Sequence, residues 1–176
     1  MKAKIRVRKS SLIDFTDVDA WVCFMPEDLK IEGDLNSAII EAAGPELDEY
    51  IVDTFYKPKP GDVFHAPSFG APVDHLFFAV IPEWEGGFNE EMHELSKCYR
   101  SCIQLAKDKG ISDIAFPALG ADKLKFPQSR AVRIALYAII EEASSPLETV
   151  YIMCKDDKNY QAYVEKLKML KEHRHW

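Results

Sequence analysis

The segment Ser112–Glu142, SDIAFPALGADKLKFPQSRAVRIALYAIIEE, limits the possible folds of this chain more than any other stretch. Asp113–Pro117 reads as a buried strand and Ala118–Phe126 as a tight loop, followed by an amphipathic helix opened by Pro127. In an open α/β sheet a turn of this kind lies at the carboxyl edge, where ligands bind. It also leaves the first amides of the helix unpaired and able to receive an anion. The turn is therefore a candidate phosphate loop.

The rest of the chain alternates in the same way. A basic-flanked strand near Lys4–Val7 is followed by an apolar strand, Ala20–Met25, a polar loop, Pro26–Leu35, and a helix near Asn36–Val52. Gly61–Ala66 and His75–Pro82 are rich in β-formers and are separated by the turn residues of PSFGAPVD, which predicts adjacent antiparallel strands. Asn89–Lys109 has a helical stripe of Met92, Leu95, Cys98, Tyr99, Cys102 and Ala106, with Asn89 as a cap and Gly110 as a stop. Thr149–Cys154 completes the strands and Lys158–His173 the helices. Strands alternating with helices predict a mixed, largely parallel sheet covered on both faces.

Composition narrows the function. With 176 residues, 47% of them hydrophobic, the chain fits one domain, residues 1–176, with a single sizeable core. Twenty-two Lys and Arg against 29 Asp and Glu give a net charge of −7, which argues against broad nucleic-acid or anionic-membrane binding but not against one small anion held locally. No apolar run reaches membrane-spanning length and the start lacks a signal-peptide centre, so a cytoplasmic location is expected. Cys23, Cys98, Cys102 and Cys154 show no metal-ligand spacing and read as buried thiols; no metal or cofactor is expected.

Two loops leave strand ends and precede helices, Pro26–Leu35 and Ala118–Phe126. If their parent strands are neighbours, the loops flank one crevice.

VDAWV (Val18–Val22), AIIEAAGPEL (Ala38–Leu47), PGDVFHAPSFGAPVDHLFFAVIPEW (Pro60–Trp84), CYRSCIQLAKDKGISDIAFPALG (Cys98–Gly120) and FP (Phe126–Pro127) resemble the macro domain family in order and spacing, over about residues 11–163. The resemblance implies a three-layer α/β/α fold with a mixed, mostly parallel six-stranded sheet. It also implies a site for ADP-ribose, and in many members hydrolysis of ADP-ribose linkages.

Carried over residue by residue, it places ligand contacts at Leu12 and Ile13, at Cys23, at Gly33 and Asp34, and along Leu119, Gly120, Ala121, Asp122, Lys123 and Leu124. Several of these depart from the family pattern. Leu12 stands where an Asp accepts a bond from adenine, with Asp14 two residues on as a substitute. Cys23 and Pro26 stand for a pair of asparagines, and proline has no side-chain donor or backbone N–H. The glycine run facing the diphosphate becomes Ile31, Glu32, Gly33 and Asp34, of which only Gly33 keeps the required freedom. Ile40 replaces a histidine of active members. Leu124 replaces an aromatic ring over the distal ribose.

Glu27, Asp28, Glu32 and Asp34 add like charge near a bound diphosphate, at about 1 kcal/mol per close pair in water-like surroundings. Cys23 is the one thiol near the crevice and His65 the strand histidine that could serve it as a base. Three functions follow. The chain is a non-catalytic binder of ADP-ribose, a related nucleotide or another small anion; a hydrolase of ADP-ribosyl or phosphate-ester linkages using other residues; or a macro-like fold acting through a protein interface. The first is the main expectation, and no catalytic residue is assigned.

Overall fold

The computed structural model describes residues 1–31, 33–119 and 126–174. Six strands form one sheet: β1 (Lys4–Lys9), β2 (Ala20–Met25), β3 (Val63–Pro67), β4 (His75–Val80), β5 (Asp113–Pro117) and β6 (Thr149–Cys154). Their order is β1-β6-β5-β2-β4-β3, and every pairing is parallel except β3 with β4. The helices are α1 (Asp34–Ala43), α2 (Pro45–Thr54), α3 (Glu91–Asp108), α4 (Gln128–Glu142) and α5 (Asp157–Arg174).

The sequence of β2, AWVCFM, explains the three layers. All six of its residues are buried, because successive side chains enter different cores. Ala20, Val22 and Phe24 join a cluster with α3, α4 and α5. Trp21, Cys23 and Met25 join a second with α1, α2 and the 3-10 turn Leu12–Asp14. The expected α/β/α architecture with a six-stranded mixed sheet is what the chain forms.

Several boundaries shift by one or two residues, β3 for example from Gly61–Ala66 to Val63–Pro67, and two features differ in kind from the sequence reading. The single helix expected over Asn36–Val52 is two, because Gly44 adopts φ 96°, ψ 174° and ends α1 before Pro45 opens α2. Asn89 does not cap α3. The capping residue is Glu90, at φ 62° and without a side-chain bond, while the Asn89 amide donates to Glu85 at 2.6 Å. Gly110, at φ 70°, does stop α3 and donates its N–H to the Lys107 carbonyl.

Asp19, just before β2, sets the strand neighbours at the amino edge. Its carboxylate accepts the backbone N–H of Ser112 at 2.9 Å, while its carbonyl accepts those of Asp74 and His75. One residue thus ties the start of β2 to those of β5 and β4. At the far end of these strands lies the edge that matters for function.

Candidate functional site

β2 and β5 are parallel neighbours, with Ala20 opposite Ile114 and Trp21 opposite Ala115. From β2 the chain proceeds to β3 and β4 on one side, and from β5 to β6 on the other. The gap between their carboxyl ends is therefore a topological switch point, where open α/β sheets bind ligands. The condition stated for a shared crevice is met. Both loops leave adjacent strands at one edge.

In the first loop, Pro26 follows β2 and its carbonyl accepts the N–H of Leu29, which sits in the left-handed region at φ 59°. The Asp28 carboxylate accepts the N–H of Lys30 at 3.0 Å. Gly33 then caps α1 at φ 85°, ψ 158°, a conformation close to glycine-only, and nothing lies within 4 Å of where a Cβ would stand. The Gly33 carbonyl takes the first helical bond from Ser37. The amides of Asp34, Leu35 and Asn36 precede that bond and have no helical partner. Asn36 instead uses its side chain to donate to the Phe24 carbonyl at 2.8 Å, which fixes α1 to the end of β2.

The second loop is described at its two ends. Leu119 is buried, and its carbonyl accepts the Tyr163 hydroxyl of α5 at 3.0 Å. Phe126 is buried against Trp84 with ring centroids 5.3 Å apart, and the Arg130 guanidinium lies 5.2 Å from the Trp84 ring. Gly120, Ala121, Asp122, Lys123 and Leu124 lie outside the described residues.

Trp84 belongs to a connection held by one buried acid. The Glu91 carboxylate accepts the backbone N–H groups of Glu85 at 2.9 Å, Gly87 at 2.8 Å and Asn89 at 2.5 Å. Burial alone would push Glu91 up, but these donors prevail and hold it at about 2. Glu91 is the buried charged residue of the described chain, and it orders residues 85–89 by neutralising their unpaired donors.

Two acids of the first loop take an unexpected direction. Glu27 and Asp28 line a cavity of about 440 Å³ on the β4 side of β2, together with Glu83, Glu85 and Glu94. Glu94 is pushed above the usual carboxyl range by burial and by Glu90, Glu91 and Glu27. The negative charge thus gathers between the ends of β2 and β4 and the start of α3. No described residue of the β5–α4 connection lines this cavity.

The Macro domain family model matches residues 25–135. The chain belongs to the macro domain family. It is 32% identical to the O-acetyl-ADP-ribose deacetylase of Enterobacter sp. (strain 638) over 168 residues, covering 93% of each chain. It superposes on the Oceanobacillus iheyensis macrodomain with ADP at a TM-score of 0.87, with 26% identity and coverage of 98% and 97%. The Trypanosoma brucei macrodomain in complex with ADP-ribose gives a TM-score of 0.81 at 25% identity, covering 93% of this chain and 68% of that one.

The remaining residues singled out from sequence can now be placed in this macro domain. Leu12 and Cys23 have core side chains, 1% and 2% exposed, so only their backbone atoms could meet a ligand. Ile13 is half-buried over the α1–α2 core, and Asp14 and Asp34 are exposed. Cys23 and His65 do not meet. Cys23 lies in the α1–α2 core, whereas His65 rests on Phe77, which belongs to the core under α3. Burial pushes the Cys23 thiol far up, away from a nucleophilic thiolate. The His65 ring bonds His75 at 2.9 Å and is lowered to about 4 by burial, Lys109 and His75.

Sequence reading missed Trp84, Glu91, Tyr163 and the gathering of Glu83, Glu85 and Glu94 with Glu27. The signal for Glu91 was faint but present: an acid inside a Gly-Gly turn's following helix start is suited to bind loose amides. Nothing local joins Tyr163 to Leu119, 44 positions apart.

Proposed function

We propose that this macro domain binds ADP-ribose or a closely related nucleotide at the carboxyl edge of β2 and β5, without catalysing a reaction on it. The observation that carries the reading is the adjacency of β2 and β5, which brings the Gly33 cap and both ends of the second loop to one edge. The open space at Gly33 and the first amides of α1, which have no helical partner, suit a diphosphate, which the helix N-terminus attracts. The gathering of Glu27 and Asp28 on the β4 side supports the same reading, because it draws like charge away from that edge. The family relatives that carry ADP or ADP-ribose supply the nucleotide class.

The side chains at this edge support binding without chemistry. Pro26 offers no donor, Ile40 no proton, and the Cys23 thiol is buried and held protonated. None of these can position a water or accept its proton. A second reading, hydrolysis of an acyl or ADP-ribosyl ester, rests on the relative named O-acetyl-ADP-ribose deacetylase.

Calorimetric titration with ADP-ribose, ADP and AMP tests binding, and incubation with O-acetyl-ADP-ribose tests turnover. Saturable ADP-ribose binding with no release of acetate is the expected result. Binding should raise stability by about 2.7 kcal/mol at a hundred times Kd. No binding at millimolar ADP-ribose would overturn the first reading, and acetate release above the uncatalysed rate would establish the second.

A further inference from the structure

We propose that the open edge of β1, with the groove between it and α5, docks an extended acidic peptide segment that adds to the sheet as a further strand. β1 ends the strand order and is paired on one side only, with β6. The Lys4 N–H donates to the Glu148 carbonyl at 2.8 Å on the β6 side. Backbone direction alternates along a strand, so the amides and carbonyls of Ile5 and Val7 face the open side. They are the ladder groups that an added strand uses.

Basic side chains stand on both faces of that edge. Ile5 and Val7 turn toward α5, whose Val164, Lys168 and Lys171 share one helix face and line a groove of about 390 Å³ with β1. Leu167 supplies an apolar floor, and Glu172 is the one acid of the lining. Arg6 and Arg8 project from the opposite face, where the Arg8 guanidinium lies 5.8 Å from the centre of the Tyr151 ring. No carboxylate pairs with Arg6 or Arg8 among the described residues, and Lys9 alone on β1 is matched, by Asp157. This basic edge belongs to a chain whose net charge is −7, so the positive charge here is local.

Charge decides the occupant. A second copy pairing through its own β1 would set Arg6 and Arg8 against like charges, which is destabilising across a ladder. An incoming strand with acids on both faces meets Arg6 and Arg8 on one and Lys168 on the other. The backbone ladder supplies affinity and these cations select the sequence. β6 separates this strand from β5, and the proposal does not rest on what binds at the β2–β5 edge.

The test uses the full chain and a fluorescein-labelled extended peptide of about eight residues alternating Glu with Val or Thr. Its controls are the same peptide N-methylated at alternate amides, the Lys counterpart, and oligothymidylate of matched charge. Anisotropy should show saturable, salt-sensitive binding of the acidic peptide alone. Affinity should fall by about ten-fold or more in Arg6→Glu/Arg8→Glu. Val7→Pro should lower it similarly, because it removes an outward N–H without breaking a bond to β6. Both variants should keep the melting temperature and ADP-ribose titration of the parent. Absence of peptide binding, equal binding of the N-methylated peptide, or equal binding of oligothymidylate would each overturn the proposal. So would a peptide-free dimer that Arg6→Glu/Arg8→Glu abolishes.

Discussion

The two strand-to-helix connections at the β2–β5 edge solve one problem by different means. The first is shaped by Leu29 and Gly33 at positive φ and by two short side-chain bonds, from Asp28 and Asn36, with little buried side chain. The second is anchored at its ends by bulky buried groups, Leu119 beneath Tyr163 and Phe126 beneath Trp84. A residue held at positive φ resists substitution through backbone strain, whereas a buried anchor resists it through the cavity that truncation leaves. This is why Glu27 and Pro26 can occupy the first loop without disturbing its course, whereas Asp28 helps to set it.

Substitutions should separate the two modes. The largest effect is expected for Phe126→Ala, which removes a ring that is 1% exposed and should cost about 3–5 kcal/mol in urea unfolding. ADP-ribose affinity should fall with it. Unchanged affinity in the folded fraction would break the link between the Trp84–Phe126 contact and the site.

Next comes Glu91→Gln, which weakens the bonds ordering residues 85–89 and should lower the melting temperature more than any substitution in the first loop. The pH dependence gives its signature. A carboxyl held at about 2 when folded, against 4.5 as its ordinary value, contributes stability that is complete above 4.5. That contribution is lost as pH falls through about 2. Thermal melts of parent and Glu91→Gln between those limits should converge on acidification; parallel curves would refute the assignment.

Gly33→Ala should cost about 1–3 kcal/mol from backbone strain alone, since open space surrounds the new methyl. The smallest effect is expected for Glu27→Gln/Asp28→Asn, in which Asn keeps the acceptor for the Lys30 N–H, within about 0.5 kcal/mol of the parent in stability. It should leave ADP-ribose affinity unchanged if these acids belong to the β4-side cavity. A gain of about ten-fold in calorimetric titration would show that they face the diphosphate instead.

Particular residues show how much was legible beforehand. β5 and β6 have the limits read from the sequence, because a buried strand flanked by turn residues carries its own boundaries. The break between α1 and α2 was missed although its signal is local: Gly44 takes φ 96° and Pro45 opens the next helix, inside an apolar stripe that runs across both. At the site, the glycine cap and the two loops were visible as local patterns. The acid cavity was not, since Glu27 and Glu83 become neighbours only when β2 and β4 pair.

The sequence by itself determined the alternation of strands and helices, the burial of β2 on both faces, the family, and the position of both loops after strands. These follow from hydrophobic period and turn chemistry, which act over a few residues. Only the tertiary structure decided that β2 and β5 are neighbours, that Glu91 gathers three amides, and that Glu27 and Asp28 turn toward β4. It also left β1 as a one-sided edge with cations on both faces. Each of these depends on pairing or packing between residues far apart in the chain, where no local preference can act.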